Sequence, residues 1–353
     1  MIAALDATPL TLTSGGLARY VAELSLALAR HFPEDTYSLL SDQSFMLPVG
    51  HTVNLIAGSP APHGTRWWLH GLRRAIARAG AQIFHGTNFE VPYVGRTPAI
   101  LTIHDFSPWR DPAWHSAADR VRRRTPWLIR LRRARMILTV SQAVRREIVT
   151  HFSVPESQVR AIPLAASSLF QPVPGPPRSD RPYFLFVGTL EPRKNLSALI
   201  DAWRETRADT GADLLIAGRT RADFIPVPHA DGLIFLGEVP DHELPHLYSG
   251  ALAFVYPTLY EGFGLPVLEA MQCGCPVVTS RDPAVTEVAG GAALHTGTDR
   301  ELADAMRVVA TDPQRRLQLR QHGLARATHF SWERTARETR ALYSEVLSGA
   351  ASA

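Results

Sequence analysis

Lysine is almost missing from this chain of 353 residues. Lys194 is the only lysine, and arginine supplies the rest of the 37 basic residues. A GC-rich genome explains a general replacement of lysine by arginine. A lysine that is kept despite this replacement indicates a position where arginine cannot take over the role. An ammonium group is compact and can turn its donors toward a phosphate, whereas a guanidinium group is planar. Lys194 is therefore a candidate phosphate-binding residue.

Cysteines and long apolar runs are also scarce. Cys273 and Cys275 are the only two cysteines, and one residue separates them, so they cannot staple a fold. No uncharged apolar run reaches the roughly 18 residues that a membrane-spanning helix needs. Residues 1–16 lack the basic and apolar regions of a secretory signal. These absences exclude a disulfide scaffold and a membrane-spanning apolar helix, and we expect a cytoplasmic protein.

The formal charge of +4 and the pI near 9.3 make the chain mildly basic. No nucleic-acid module is recognisable, so we expect no nucleic-acid partner. Eight arginines lie between Arg120 and Arg135, interleaved with Trp127, Leu128, Ile129 and Leu131. Two interpretations stay open: a solvated helix that packs on one face, or a surface for anionic lipid heads or a lipid-diphosphate acceptor.

Apolar runs alternate with segments of helical periodicity in two blocks, residues 1–168 and 183–330. The intervening residues 169–182 contain PVPGPPRSDRP, which predicts a linker. The alternation predicts an α/β fold of two Rossmann-like, doubly wound domains with parallel sheets. Because ligands bind beyond the carboxyl ends of such strands, we expect the domains to face each other across a cleft. Residues 331–347 predict a final amphipathic helix within segment 331–353.

The strongest motif is YPTLYEGFGLPVLEA, residues 256–270. It predicts a strand, a turn that contains Gly264, and a helix from residue 265. The first N–H groups of a helix and its dipole favour an anion. Glu261 and Glu269 flank this helix start, which suits recognition of hydroxyl groups on a sugar and on a ribose. The alternative is that Glu269 only complements the helix dipole and Glu261 is a solvated loop residue.

A second motif, YFLFVGTLEPRKNLSALIDAW, covers residues 183–203. It predicts a strand, backbone freedom at Gly188, and a helix capped by Asn195. Arg193 and Lys194 lie just ahead of that helix, where two cations would neutralise a diphosphate. The alternative is a solvated basic loop.

Two weaker motifs lie in the first block. Ser14, Gly15 and Gly16 follow the first strand and can place N–H groups against a phosphate, although an ordinary turn is equally compatible with a pair of glycines. The segment LTIHDF, residues 101–106, brings His104 to the end of a strand, where a functional and a structural histidine are both possible. The segment HGTN, residues 85–88, is a similar polar strand end.

Taken in order, these motifs resemble glycosyltransferase family 4, a family of retaining enzymes with the GT-B fold. The likeness covers nearly the whole chain and continues through PVVTS, residues 276–280, and EVAG, residues 287–290. Its details are similar to bacterial mannosyltransferases that build surface polysaccharides. The resemblance implies an acceptor domain in residues 1–168, a nucleotide-sugar domain in residues 183–330, and a last segment, 331–353, that returns to the first domain.

The resemblance also implies a role for each candidate residue. The catalytic candidates are His104 beside the transferred sugar, Arg193 and Lys194 at the diphosphate, and Glu261 at the sugar hydroxyls. The other donor-binding candidates are Gly15 and Gly16 at the diphosphate, Gly237 and Val239 at the base, Phe263, Gly264 and Leu265 along the sugar and phosphate, Glu269 at the ribose, and Gly188, which frees the backbone of its loop.

The expected chemistry follows from charge. A departing nucleoside diphosphate needs preorganised positive partners, which the basic pair and two helix starts supply, so we expect neither a metal nor a further cofactor. The expected donor is GDP-mannose, with a UDP-sugar as second choice, and the acceptor is a glycan or a lipid-linked glycan. No residue can be assigned as a nucleophile, which favours attack on the same face as the leaving group.

Three alternatives stay open at this stage. A nucleotide-sugar epimerase has the same two-domain fold and needs no acceptor. An inactive sugar-nucleotide-binding subunit would bind the donor without turnover. The segment HELPH, residues 242–246, matches the zinc-protease pattern, but Pro245 argues against the helix which that pattern requires, and Asp241 is expected to cap a helix instead.

Overall fold

The chain forms two compact units in a computed structural model. The structure describes residues 1–11, 15–58, 66–111, 114, 118–175, 179–221, 224, 228 and 230–349. One unit comprises Met1–Leu164 together with Ser331–Ala353, and the other is Ala165–Phe330. Each unit is an α/β structure built on a parallel sheet.

The first unit contains a seven-stranded sheet. Its strands are β1 (Ile2–Asp6), β2 (Thr36–Leu40), β3 (Leu55–Ala57), β4 (Ile83–Gly86), β5 (Ala99–Ile103), β6 (Met136–Thr139) and β7 (Val159–Ala161). Their spatial order is β3-β2-β1-β4-β5-β6-β7, and every pairing in this order is parallel. The α-helices between these strands are α1 (Gly16–His31), α2 (Leu72–Arg78), α3 (Ser107–Arg110), α4 (Asp119–Arg130) and α5 (Gln142–Phe152). Residues of β4 and β5 are buried throughout, as expected for parallel strands with both faces covered.

The second unit contains a six-stranded sheet. Its strands are β8 (Tyr183–Val187), β9 (Asp213–Ala217), β10 (Leu233–Gly237), β11 (Ala253–Tyr256), β12 (Val277–Ser280) and β13 (Leu294–Thr296). Their order is β10-β9-β8-β11-β12-β13, again with parallel pairing. The helices of this unit are α6 (Leu196–Thr210), α7 (Leu244–Gly250), α8 (Leu265–Gln272), α9 (Pro283–Ala289), α10 (Asp299–Thr311) and α11 (Pro313–Ala327).

Each sheet has one point where the strand order reverses. In the first unit this point lies between β1 and β4, and in the second between β8 and β11. Ligands of doubly wound sheets bind beyond the carboxyl ends of the strands at such a point. The loops after β1, β4, β8 and β11 are therefore the places where the architecture favours a binding site. All four loops carry motifs identified from the sequence.

The last helix, α12 (Trp332–Leu347), belongs to the first unit. Ser331 caps it by accepting a hydrogen bond from the Arg334 amide, and the Thr335 hydroxyl donates to the Pro163 carbonyl at 2.7 Å. Its buried residues include Ala336, Leu342, Tyr343 and Val346. This burial confirms the amphipathic helix expected over residues 331–347.

The two Rossmann-like sheets expected from the alternation are confirmed, and several boundaries are corrected. The sequence pattern predicts the helix after Asn195 over residues 196–204, but the helix continues to Thr210, because Trp203 and Thr206 are buried and the left-handed Gly211 ends it. Asp241 is not a helix cap, since α7 begins only at Leu244 with Glu243 before it. Ser14 of the Gly-Gly loop and residues 176–178 of the expected linker lie outside the described residues.

Candidate functional site

The strand-order reversal of the second unit brings together the motif of residues 183–203 and the motif of residues 256–270. Arg193 and Lys194 follow β8, Glu261 follows β11, and these two strands pair directly. The Leu259 amide donates to the Arg193 carbonyl at 2.8 Å, and the Arg193 side chain donates to the Tyr260 carbonyl at 3.0 Å. These backbone contacts hold the two loops together and bring both cations to the same carboxylate.

Lys194 is buried in this cluster. Its ammonium group donates to the Tyr256 hydroxyl at 2.6 Å and, over a shorter distance, to Glu261 Oε1. Burial lowers the pKa of Lys194 and the adjacent Arg193 lowers it further, whereas Glu261 opposes both effects. The solvated basic loop that the sequence left open is therefore wrong for Lys194, which is 5% exposed.

Glu261 is the acceptor at the centre of the cluster. Its Oε1 accepts from Lys194, from the Tyr256 hydroxyl at 2.9 Å and from the Thr258 hydroxyl at 3.0 Å, while Oε2 lies 3.1 Å from Arg193 NH1. Burial alone raises the pKa of Glu261, but Arg193 and Lys194 outweigh burial and lower it to about 2. Glu261 is thus an ionised, fixed acceptor and not the solvated loop residue of the alternative interpretation.

Asp282, between β12 and α9, supports Glu261. Its Oδ2 accepts from the Glu261 amide at 3.3 Å, and its Oδ1 accepts from the Ala284 and Val285 amides at the start of α9. Burial raises the pKa of Asp282 to about 6 despite these hydrogen bonds. This contact could not be predicted from the sequence, because it depends on β12 pairing with β11.

Glu191 and Arg221 also join the cluster, and the sequence analysis did not identify either residue. Glu191 Oε1 lies 2.6 Å from Arg193 Nε, and Glu191 Oε2 accepts from Arg221 NH1 at 3.1 Å. The position of Glu191 directly before Pro192 and Arg193 could have indicated that its carboxylate lies near the basic pair. No such indication existed for Arg221, because its contact depends on β9 pairing with β8.

Two glycines allow the loops after β8 and β9 to approach closely. Gly188 and Gly218 have φ values of 154° and 148°, and a Cβ on Gly218 would lie 1.8 Å from the Gly188 carbonyl oxygen. The Gly188 amide donates to Ala217 O at 2.9 Å, and the Gly218 amide donates to Gly237 O at 2.7 Å. The backbone of Gly218 therefore lies against Gly188 and forms a hydrogen bond with Gly237, so it connects two of the donor-binding candidates. The candidate Val239, two residues after Gly237, is half-buried.

Helix α8 begins at Leu265, four residues after Glu261. Gly264 precedes it in a left-handed conformation with φ of 97°, Phe263 is buried and Leu265 is half-buried. Glu269 lies inside the helix and is 1% exposed, and the Tyr248 hydroxyl approaches its Oε2 at 3.4 Å. The two motif glutamates therefore flank the helix start as expected, although Glu269 is far more buried than a helix-dipole residue needs to be.

The helices that follow the motif loops begin without a side-chain cap. In α1, α6 and α8 the residues before the helix are Gly15, Asn195 and Gly264, and none makes a side-chain capping hydrogen bond. Helices α5, α9, α10, α11 and α12 each have such a bond, whereas α2, α3, α4 and α7 also lack one. The expected capping by Asn195 is wrong, because its left-handed φ of 56° differs from the extended conformation of a capping residue. These first-turn amides favour an anion.

The candidate residues of the first unit are Gly15, Gly16 and His104. Both glycines are exposed at the start of α1, and a Cβ on either would meet nothing within 4 Å. Gly15 has a φ of 117°, which favours glycine. This open helix start suits a phosphate but does not distinguish a phosphate site from a solvated turn.

His104 follows β5 with a defined orientation. Its Nε2 donates to the Thr87 carbonyl at 2.7 Å, and its ring packs edge-on against Tyr20 at 4.7 Å. Burial lowers the pKa of His104, although the hydrogen bond to Thr87 and the charge of Asp105 oppose that effect. A neutral ring that donates through Nε2 has its lone pair on Nδ1. His104 can therefore accept a hydrogen bond from a hydroxyl group.

His85 of the HGTN segment has a structural role. Its ring nitrogens lie 2.7 Å from the Tyr343 hydroxyl and 2.6 Å from the Thr102 hydroxyl, and Thr102 lies 3.3 Å from the Tyr20 hydroxyl. Burial lowers the pKa of His85 to about 3. This chain of contacts connects β4 and β5 with α1 and α12. The sequence could not show it, because Tyr343 is 258 residues away.

The arginine-rich segment is only partly engaged within its unit. Arg120 forms a salt bridge with Glu90, Arg122 pairs with Asp119, and Arg124 donates to the Tyr93 hydroxyl at 2.6 Å. Arg123, Arg130 and Arg132 are exposed, as are Trp127 at 47% and Leu131 at 51%. The segment thus has both the packed face of the first interpretation and an exposed basic and apolar surface.

Two further observations concern membranes and metals. Among the helices of the described ranges, none combines the length and apolarity needed to cross a membrane. His242 lies in a turn before α7 and His246 lies within the helix. The two histidines therefore do not share a helical face as the zinc-protease pattern requires.

Comparison with known proteins gives matches over most of the chain. A family model described as Glycosyltransferase Family 4 matches residues 14–166, and one described as Glycosyl transferases group 1 matches residues 170–326. O-antigen chain mannosyltransferase B of Escherichia coli is 34% identical over an alignment of 366 positions that covers 92% of this chain and 94% of that protein.

Two solved structures have a similar fold. Sucrose-phosphate synthase from Thermosynechococcus elongatus has a TM-score of 0.75 at 21% identity and covers 99% of both chains. HepE from Anabaena, solved in complex with UDP-glucose, has a TM-score of 0.72 at 17% identity and covers 98% of this chain and 99% of that one.

Proposed function

Because this chain belongs to glycosyltransferase family 4 and has the GT-B fold of its solved relatives, we propose that it transfers mannose from a nucleotide-diphosphate sugar to a glycan or lipid-linked acceptor. GDP-mannose is the favoured donor and a UDP-sugar the second choice. The observation that carries this proposal is the buried cluster of Arg193, Lys194 and Glu261 at a strand-order reversal. The likeness to a mannosyltransferase of O-antigen chains supports the choice of sugar.

The cluster suits the departure of a nucleoside diphosphate. As the glycosidic bond breaks, negative charge develops on the leaving phosphate, and fixed positive groups stabilise it without reorganising. Arg193, Lys194 and the uncapped starts of α6 and α8 supply such groups. In this proposal the protein's own charges replace a metal ion.

We propose that the anomeric configuration is retained by attack on the face from which the leaving group departs. The bond from the anomeric carbon to the phosphate oxygen breaks, and a bond from that carbon to the acceptor oxygen forms. The proton of the acceptor hydroxyl passes to the departing phosphate. Glu261 is already engaged by four side chains, which supports a role in holding sugar hydroxyls over a role as a nucleophile.

The remaining assignments stay proposals for this donor. Glu261 and the backbone of Phe263, Gly264 and Leu265 hold the sugar and phosphate, while Glu269 holds the ribose. The further donor contacts are Gly188, Gly237 and Val239 from the second unit, with Gly15 and Gly16 from the first. His104 lies beside the transferred sugar and accepts a hydrogen bond from a sugar hydroxyl through Nδ1. This role is consistent with the hydrogen bond that His104 Nε2 donates to the Thr87 carbonyl.

A panel of nucleotide sugars tests this proposal. GDP-mannose, GDP-fucose, UDP-glucose and UDP-galactose are compared for hydrolysis, for transfer to a mannose-terminated acceptor, and for thermal stabilisation. We expect GDP-mannose to stabilise the protein most and to be the donor that supports transfer with retention, read as an α-linked product by NMR. Release of an altered nucleotide sugar without acceptor would favour the epimerase, and binding without turnover would favour an inactive subunit.

Glu269→Gln is expected to weaken donor binding with a smaller effect on turnover. The substitution keeps the volume of this buried side chain but removes its charge, and the loss of a hydrogen bond to a charged group corresponds to about a 10- to 100-fold increase in KM. Steady-state kinetics with the donor, and isothermal titration with its nucleoside diphosphate, measure the change. An unchanged KM with a reduced kcat would contradict the ribose assignment.

The arginine-rich segment predicts binding to an anionic bilayer. We expect the protein to sediment with phosphatidylglycerol vesicles at low salt but not with phosphatidylcholine vesicles, because exposed arginines and Trp127 combine charge with apolar area. Reversing Arg123 and Arg130 to glutamate should abolish sedimentation. The same double reversal at the exposed Arg334 and Arg337 of α12 is the matched control. Equal loss in both variants would show only a net-charge effect.

A further inference from the structure

Glu191 holds two arginines from two different loops. Its Oε1 lies 2.6 Å from Arg193 Nε and its Oε2 lies 3.1 Å from Arg221 NH1. The loops are held side by side, because the Leu190 amide donates to the Arg219 carbonyl at 2.9 Å and Leu190 pairs with Thr220 as an isolated bridge. One buried carboxylate thereby fixes both guanidinium groups at the carboxyl edge of β8 and β9.

The described part of the chain brings three cations to this cluster. Arg193, Lys194 and Arg221 contact the carboxylates of Glu191 and Glu261, and Asp282 accepts a hydrogen bond from the Glu261 amide. Guanidinium and ammonium groups that are held in fixed positions at the carboxyl edge of parallel strands form strong, charge-assisted hydrogen bonds with phosphate oxygens. The arrangement is therefore suited to a ligand with negative charge.

The three cations differ in how accessible they are. The side chain of Lys194 is 6% exposed, that of Arg193 is 13% exposed, and that of Arg221 is 21% exposed. Lys194 and Arg193 each contact Glu261, whereas the contact of Arg221 with this cluster is through Glu191. An anion that enters from solvent can thus reach the side chain of Arg221 more readily than those of Arg193 and Lys194.

We propose that Arg221 is a third diphosphate-binding residue and that Glu191 is the positioning residue which orients Arg221 and Arg193 toward the phosphates. This inference rests on the proposed function, because it assigns the nucleoside diphosphate of that donor to the cluster. Arg221 supplies a bidentate donor at the solvent side, and Lys194 supplies a point charge inside.

The test is the affinity for GDP and UDP, with GMP and UMP as probes that carry one phosphate. In Arg221→Ala we expect the Kd of the tighter-binding nucleoside diphosphate to increase about 10- to 100-fold, as for the loss of a hydrogen bond between charged groups. The Kd of the monophosphates should change less. Arg219→Ala is the matched control, since it removes the same charge from an exposed position two residues away and should leave every Kd unchanged.

A double-mutant cycle tests the role of Glu191. If Glu191 orients Arg221, the effect of Arg221→Ala on the Kd should shrink about threefold or more in a Glu191→Gln background. A merely structural Glu191 would leave that effect unchanged and would overturn its positioning role. Equal affinity of Arg221→Ala and Arg219→Ala for GDP and UDP would overturn the role of Arg221. If the unmodified protein binds neither nucleotide, the donor proposal itself fails, which is a distinct outcome.

Discussion

Replacing Lys194 with methionine is expected to lower kcat by about 10²- to 10³-fold, the usual effect of removing one preorganised donor to a developing oxyanion. Methionine keeps most of the side-chain length and apolar volume but removes the ammonium group. Lys194 contacts Tyr256 and Glu261 inside the cluster, so its charge is fixed before the leaving group departs. The measurement is single-turnover transfer at saturating donor, which separates the chemical step from donor binding.

Two companion variants make this expectation specific. Lys194→Arg keeps the charge, but its larger planar group has to fit a buried site between Tyr256 and Glu261, so we expect it not to restore turnover. Arg219→Ala removes an exposed cation from the same unit and should keep full activity. The stability loss in Lys194→Met should stay below the roughly 3–5 kcal/mol of a buried charge left alone, because Glu261 keeps Arg193 as its partner. Full turnover in Lys194→Met would disprove the leaving-group role.

The sequence predicted those parts of the structure that depend on neighbouring residues. A serine ahead of a helical segment predicts a cap at Ser141, and its side chain accepts from the Val144 amide three residues later. The sequence also predicted in outline that Lys194 and Glu261 lie at one site, because both follow strands and parallel strands bring their carboxyl ends to one edge of the sheet. The sequence did not show that the cations would be buried and paired with carboxylates in the same cluster.

Contacts that depend on strand order were beyond the sequence. Arg221 reaches Glu191 only because β9 pairs with β8, and Asp282 reaches the Glu261 amide only because β12 pairs with β11. Gly218 looked like any loop glycine, yet a Cβ there would collide with the Gly188 carbonyl. A periodic pattern predicts that strands exist, but it does not state which strands are neighbours.

The second large effect is expected for Glu261→Gln, which should reduce kcat/KM about 10- to 100-fold through the loss of a charged acceptor for sugar hydroxyls. The amide also leaves Arg193 and Lys194 without their shared counter-charge. Turnover with the donor, compared with Glu205→Gln at an exposed carboxylate of α6, measures the effect. Activity equal to that control would contradict the assignment of Glu261 to the sugar.

The acid side of the stability curve provides an independent check on Glu261. Its pKa in the folded protein is about 2, below the ordinary value of 4.5, because Arg193 and Lys194 outweigh burial. A carboxylate with a depressed pKa stabilises the fold above its ordinary pKa, and this stabilisation is lost as the pH falls through the folded-state pKa. The difference in unfolding free energy between the unmodified protein and Glu261→Gln should therefore be constant above about pH 5 and should shrink from there toward pH 2. A difference that does not vary over this range would mean that Glu261 is not held by the two cations, and the charge cluster on which the transferase proposal depends would then be wrong.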